Sequence, residues 1–156
     1  MSRSFRRSCI VLAAVVSACH ARAFTNAPPL GEPPPLILGD FEDDYGGRHT
    51  VSASEWIQGR DRYRIVRWDA AGQYLVAQND SGNHSAAGKW TRIDWMSFSD
   101  MAPYDWGFCF TAYEAATRTA AEATTIANRA SPRTGCNGFP FSRMRRRPSS
   151  GPDSGD

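Results

Sequence analysis

The stretch Tyr74-Leu75-Val76-Ala77 has hydrophobic residues at four successive positions, so a strand here would be buried on both faces. Further along, Trp90-Thr91-Arg92-Ile93-Asp94-Trp95 places Thr91, Ile93 and Trp95 on one face of a second strand. A strand buried on both faces is typical of the centre of a sheet or the wall of a barrel. We therefore predict a mainly β (α+β) domain, either barrel-like or a sandwich.

Other short segments mix β-branched and aromatic residues with charges, and each is bounded by Gly, Asn, Asp or Ser. The predicted strands cover residues 49–52, 55–58, 62–69, 73–78, 89–98 and 106–111. A turn at Asp69-Ala70-Ala71-Gly72 and a loop at Asn79-Asp80-Ser81-Gly82-Asn83 join consecutive strands. This order predicts a small antiparallel β-meander.

Residues 112–130 are rich in alanine and contain neither Gly nor Pro. Tyr113, Ala116 and Ala120 recur at helical spacing, which predicts a helix over this segment. Ser131-Pro132 ends it, because the residue before a proline avoids helical backbone angles. We expect one C-terminal alanine-rich helix that packs on the strands.

The first residues have the composition of a secretory signal peptide. Three arginines within residues 1–7 precede an apolar run at residues 9–18, and small residues follow. The run is too short to span a bilayer, which takes about 20 helical residues. We predict a signal peptide over residues 1–23 and an exported protein.

The leader has two predicted cleavage sites. Cleavage before Cys19 would follow the small-residue pattern of a bacterial lipoprotein signal, and Cys19 would then carry the lipid. Cleavage after Ala21-Arg22-Ala23 would release a secreted chain that begins at Phe24. The Ala-Arg-Ala-Phe sequence also resembles plastid leaders of algae with complex plastids, which leaves that compartment as an alternative.

The rest of the chain divides into three parts. We predict a proline-rich linker at residues 24–39, a single domain at residues 40–142 and a disordered Arg/Ser/Gly tail at residues 143–156.

Loss of the four leader arginines leaves 14 basic against 16 acidic residues, a formal charge of −2. Nucleic-acid binding therefore lacks an electrostatic basis.

Two cysteines remain outside the predicted leader, Cys109 and Cys136. Two cysteines in an exported domain usually form a disulfide, which is our prediction here. The alternative is a reactive thiol at Cys109, but its aromatic neighbours favour a buried, unreactive sulfur.

Five short motifs resemble a family of small exported bacterial domains, often lipoproteins, that has no assigned function. They are Tyr45-Gly46-Gly47-x-His49-Thr50, Tyr74-Leu75-Val76-Ala77-Gln78-Asn79, Gly88-x-Trp90-x-Arg92-x-Asp94-Trp95, Cys109-x-Thr111-Ala112-Tyr113 and Gly135-Cys136-x-Gly138-Phe139-Pro140. The resemblance implies export and pairing of the two cysteines. It transfers no functional residues.

Candidate catalytic groups are few. His49 with Glu55 or Asp94 would form an acid–base pair, because imidazole titrates near neutral pH. Because neither carboxylate lies at a diagnostic spacing from the histidine, we favour a structural or merely exposed role for His49 over catalysis. The acidic run Asp40-Phe41-Glu42-Asp43-Asp44 has hard-cation ligands, yet it lacks the spacing of an EF-hand. We predict a solvated acidic segment there, with no metal and no cofactor.

Aromatic residues are the other candidate site. Tryptophan rings bind sugars and apolar ligands, although they also fill the cores of small β-domains. The candidate ligand-binding residues are Trp56, Trp68, Trp90, Trp95 and Arg92.

Together these features predict an exported, non-catalytic binding or envelope module. Its partner would be a small molecule, a glycan or an envelope component, and membrane association would come only through a lipid anchor. The alternative is a small extracytoplasmic enzyme that uses a histidine–carboxylate pair.

Overall fold

Eight antiparallel strands form a closed barrel in chain order, and the last strand pairs with the first. The computed structural model describes residues 29–148 of the chain. The strands are β1 (Gly39–Asp43), β2 (Arg48–Val51), β3 (Glu55–Gln58), β4 (Asp61–Asp69), β5 (Tyr74–Asn79), β6 (Trp90–Ser97), β7 (Trp106–Ala115) and β8 (Ser142–Arg146). The predicted β-dominated, barrel-like fold is confirmed. The predicted signal peptide and Cys19 lie outside the described residues.

Strand β5 is buried on both faces, as its sequence predicts. Leu75 and Ala77 belong to the barrel core, and Val76, which points the other way, is also fully buried. The one α-helix among residues 29–148, α1 (Arg118–Glu122), is short and packs on the outside of β5, β6 and β7. No helix in the described part of the chain is long and apolar enough to cross a membrane.

The predicted helix over residues 112–130 is wrong in extent. Strand β7 continues to Ala115, because Ala112 and Ala115 pair with Arg92 and Trp90 of β6. Helix α1 begins only after Thr117, whose hydroxyl accepts a hydrogen bond from Ala120 N at 3.1 Å. The long β6–β7 ladder thus overrides the helix propensity of the alanines.

The tail predicted at residues 143–156 is also corrected, because β8 occupies its first part. Met144 is fully buried in the core, whereas Arg143 and Arg145 on either side of it point outward. They form ion pairs with Asp44 and Glu42, which lie in or next to β1. The basic cluster is therefore the strand that closes the barrel. Residues 149–156 lie outside the described part.

The described part of the proline-rich linker, predicted as a spacer at residues 24–39, lies against the barrel. Leu30 N donates to Val66 O at 3.0 Å, and Trp68 N donates to Leu30 O at 2.7 Å. Ile37, in a short 3₁₀ turn, is fully buried in the core. The backbone hydrogen bonds of Leu30 and the buried side chain of Ile37 fix the segment, which is the physical reason that it does not act as a spacer.

Cys109 of β7 and Cys136 form the predicted disulfide, with their Cα atoms 5.5 Å apart. The bond joins the barrel wall to the segment between β7 and β8, residues 116–141. We call this segment the outer segment. Cross-linking a loop of 27 residues stabilises a protein by about 3–4 kcal/mol in the chain-entropy model.

Aromatic side chains fill the barrel. Trp56 and Trp106 are fully buried, and their rings meet edge to face at 5.9 Å. Their indole N–H groups differ in hydrogen bonding. Trp56 Nε1 donates to His49 Nδ1 at 3.2 Å, whereas Trp106 Nε1 is the buried side-chain polar atom without a hydrogen-bond partner within residues 29–148.

This difference yields a prediction about stability. Trp56→Phe and Trp106→Phe remove similar volumes, but only the first leaves a buried acceptor, His49 Nδ1, unpaired. We expect Trp56→Phe to lower the free energy of unfolding by about 1–3 kcal/mol more than Trp106→Phe, as measured by urea denaturation. Equal losses in the two variants would contradict the proposed role of the Trp56 hydrogen bond.

Candidate functional site

His49 lies inside the barrel and is 1% exposed. Its Nδ1 accepts the Trp56 hydrogen bond, so the proton of a neutral ring resides on Nε2, which donates to Asp43 Oδ2 at 2.9 Å. Burial lowers the pKa of His49, although the neighbouring Asp43 opposes the shift. Both ring nitrogens are therefore occupied, and the ring has no access to solvent.

Asp43 connects this buried ring to the β1–β2 turn. Its Oδ1 accepts hydrogen bonds from Tyr45 N at 2.9 Å and Gly47 N at 2.7 Å. Gly46 has a φ of 82°, and a Cβ at Gly47 would lie 2.6 Å from Asp43 Oδ2. The two glycines thus let the chain wrap around the carboxylate, and the turn presents the Tyr45 side chain, which is 73% exposed.

The two carboxylates suggested as partners of His49 have other partners. Glu55 forms an ion pair with Arg62 on the outer surface at 3.1 Å. Asp94 is fully buried and accepts hydrogen bonds from Arg92, Arg129 and Thr111. Asp43, which the sequence analysis assigned to a solvated acidic run, provides the carboxylate at His49 instead.

Asp94 holds the outer segment on the barrel. Arg92 binds both its oxygens, at 2.8 and 3.0 Å, and donates from Nη1 to Glu122 O at 2.7 Å. Arg129 binds Asp94 Oδ1 at 2.9 Å and Trp95 O at 2.8 Å. Cys109 is the cross-strand neighbour of Asp94, so the disulfide and this charge cluster act side by side.

The other residues of the acidic run also have partners. Asp40 accepts a hydrogen bond from Thr50 Oγ1 at 2.6 Å, Glu42 pairs with Arg145, and Asp44 pairs with Arg143. Strand alternation places Asp40 and Glu42 on the outer face of β1 and Asp43 on the inner face. Within the described residues, no three His, Cys, Asp or Glu side chains converge as a metal site.

Three of the four candidate ligand-binding tryptophans fill the interior. Trp56, Trp68 and Trp95 are at most 4% exposed, and Trp90 is half-buried. Arg92 is 6% exposed and stacks over the Tyr74 ring at 3.8 Å. Trp56, Trp68 and Trp95 thus serve core packing, and Arg92 belongs to the Asp94 cluster.

A groove on the outer wall offers an accessible site that the sequence analysis missed. It has a volume of about 620 Å³. We call it the Tyr45 groove. Its lining residues are Asp44, Tyr45, Phe98, Met101, Pro132, Arg133, Pro140, Phe141 and Arg143. They come from four separate parts of the chain, so no local motif marks the site.

The wall of the Tyr45 groove depends on two close contacts. Gly107 of β7 has no side chain, and a Cβ there would lie 2.8 Å from the Phe98 ring. Phe98 therefore lies directly over the strand. Phe141 N donates to Pro132 O at 2.9 Å. This hydrogen bond holds together the two stretches of the outer segment that line the groove.

The two arginines of the Tyr45 groove differ in how many of their N–H groups have hydrogen-bond partners. Arg143 donates from its backbone N to Asp44 Oδ1 and from Nε to Asp44 Oδ2, at 3.0 and 2.8 Å. Its guanidinium group also lies over the Tyr104 ring at 4.8 Å. Arg133 is exposed and makes no hydrogen bond or ion pair with residues 29–148. The groove thus combines apolar surface with unoccupied N–H donors.

Comparison of the chain with protein-family models, curated proteins and solved structures finds no match. The geometry of the site is therefore the basis for a functional proposal.

The buried histidine predicts a pH dependence of stability. Because the pKa of His49 is lower in the folded state than its ordinary value of 6.5, the unfolded chain takes up this proton more readily. The free energy of unfolding should fall as the pH decreases below 6.5, by at most about 1.4 kcal/mol per pH unit from this group.

Urea denaturation between pH 5 and pH 8 measures this dependence. His49→Gln should reduce the slope below pH 6.5. His84→Gln is the matched control, because His84 is exposed and only its backbone N makes a hydrogen bond, to Asp61 Oδ1. Parallel curves for the native protein and His49→Gln would refute the assignment.

The Asp94 cluster predicts a large loss of stability on neutralisation. Asp94→Asn leaves Arg92 and Arg129 without a compensating buried charge, which should lower the free energy of unfolding by about 3–5 kcal/mol. Glu55→Gln removes the exposed partner of Arg62 and should change it by less than about 1 kcal/mol. Similar effects in the two variants, measured by chemical denaturation, would show that Asp94 is not the central anion of the cluster.

Proposed function

We propose that this chain is an exported, non-catalytic binding module that holds part of a sugar chain in the Tyr45 groove. The observation that carries the proposal is the contrast between the barrel interior and its outer wall. The interior is filled with aromatic side chains, whereas the groove presents an exposed tyrosine, two prolines and guanidinium N–H groups that no described residue occupies.

This combination of surfaces suits a sugar ring. The exposed face of Tyr45 offers flat apolar area to the C–H groups of a pyranose, and Pro132 and Pro140 extend it. Arg133 offers several N–H donors to sugar oxygens. Small-molecule sites commonly combine apolar walls with a few oriented polar groups in this way.

Export is part of the proposal. The basic and apolar leader at residues 1–23 supports it, and so does the Cys109–Cys136 disulfide, since disulfides persist mainly in oxidising compartments. Membership of the family of small exported bacterial domains is proposed on the five motifs that resemble it. The mature form would be a lipoprotein anchored at Cys19 or a secreted chain that begins at Phe24.

The binding role is favoured over the enzymatic alternative. His49 has both nitrogens occupied and is enclosed by the barrel core. Asp94 is fully buried among the groups that bind it. A general acid or base must reach a substrate proton, and neither side chain has a path to solvent in this arrangement.

Two exposed tyrosines allow a matched test. Tyr45 lines the groove, whereas Tyr113 of β7 is 56% exposed and lies outside its lining. We expect a glycan array with the purified protein to identify a bound sugar chain. Tyr45→Ala should weaken that binding roughly tenfold, while Tyr113→Ala leaves it unchanged.

The same array tests the proposal as a whole. Failure to bind any glycan at millimolar concentration would refute the proposed function. Equal losses in Tyr45→Ala and Tyr113→Ala would place the site outside the Tyr45 groove.

A further inference from the structure

We infer that the sugar chain held by the Tyr45 groove is anionic, and that Arg133 and Arg143 bind its carboxylate or sulfate groups. The inference rests on the proposed function and specifies the class of ligand. The preference for an anion follows from which charged groups of the groove already have a partner of opposite charge and which do not.

Arg133 is the first contact. Its side chain lines the groove, is exposed and has no partner within the described residues. Other arginines around β1 and β8 are paired, as Arg145 is with Glu42. An unpaired guanidinium group beside apolar surface suits an anionic oxygen group, because it can donate two parallel hydrogen bonds to a carboxylate or a sulfate.

Arg143 is the second contact, and the structure fixes its orientation. Asp44 occupies its Nε, and the Tyr104 ring supports the plane of the guanidinium group. The two terminal nitrogens have no hydrogen-bond partner within residues 29–148. They remain available to a ligand, and a guanidinium group held in place loses little conformational freedom on binding.

Asp44 does not offset this preference. It is the only acidic residue in the lining, and Arg143 already binds both its oxygens. The ion pair is neutral as a unit, so Arg133 leaves the groove with an excess positive charge. An anionic ligand therefore meets attraction without a competing free carboxylate.

An acidic sugar fits this site better than an acidic peptide. Peptides commonly bind to β-proteins by adding a strand to an open sheet edge, and a closed barrel has no such edge. Backbone groups beside the groove are also paired with each other, as Asp44 N is with Arg143 O at 3.0 Å. Recognition must therefore come from side chains, and flat rings with guanidinium groups suit sugars.

The test compares four probes of similar length by isothermal titration calorimetry with the purified full chain. They are a short oligogalacturonate, its methyl ester, a sulfated oligosaccharide and an oligoglutamate. Esterification removes the charge and keeps the sugar rings, whereas oligoglutamate keeps the carboxylates and removes the rings.

We expect the oligogalacturonate or the sulfated oligosaccharide to bind at least roughly tenfold more tightly than the methyl ester and the oligoglutamate. The tighter of the two anionic sugars identifies the anionic group. Binding should weaken as salt is raised, because exposed charges are screened.

Arg133→Gln should weaken binding of the anionic sugar roughly tenfold and weaken binding of the methyl ester by a clearly smaller factor, because the neutral ester loses hydrogen bonds from Arg133 but no charge pairing. Arg60→Gln is the matched control, because Arg60 is exposed, has no partner within the described residues and lies outside the groove lining. An equal effect of the two substitutions would show general charge attraction and overturn the inference.

The remaining outcomes separate this inference from the proposed function. Equal affinity for the ester and the acid would overturn the anionic preference and leave the proposed sugar-binding role intact. Tightest binding of oligoglutamate would overturn the assignment to sugars. Absence of binding to all four probes would overturn the inference, and a glycan array with no bound sugar would then refute the proposed function as well.

Discussion

The carboxylate of Asp94 is the interaction on which the rest of the structure depends. It lies outside the barrel core, under the outer segment, and three side chains from three different parts of the chain donate to it. A buried carboxylate is tolerated only when such donors compensate its loss of hydration. Because the outer segment leads directly into β8, its attachment at Asp94 and at the neighbouring disulfide positions the strand that closes the barrel.

Closure determines where a ligand can bind. The interior of an eight-stranded barrel is just wide enough for side chains to fill, and large aromatic residues fill this one. Even the polar groups inside, Asp43 and His49, are bonded to each other. The outer segment then creates on the outer wall the concavity that the interior lacks, since Pro132, Arg133 and Pro140 belong to it.

Several features were predictable because their signals are local. Four successive hydrophobic residues predicted the two-sided burial of β5, and two cysteines outside the predicted leader predicted the disulfide. The extent of the helix was not predictable from local sequence. Alanine favours helices, but pairing with β6 extends strand β7 into the alanine-rich segment. Strand β8 was missed because Met144 is its only core residue and its ionic partners lie about a hundred residues earlier.

The candidate site was less predictable than the fold. The His49–Asp43 pair had a usable signal, since alternation through Phe41 places Asp43 on the inner face of β1. The Tyr45 groove had no usable sequence signal, because its walls come from segments that only the closed barrel and the outer segment bring together.

Attachment of Leu30 to β4 would limit how far a lipidated form of the chain could hold the barrel from a bilayer. A spacer running to residue 39 would let a lipid at Cys19 stand far from the barrel. With the chain fixed at residue 30, eleven residues remain, and a fully extended chain of that length spans at most about 40 Å. A lipidated form would therefore keep the barrel close to the bilayer, and its reach toward polymers would be limited to the layer next to the membrane surface.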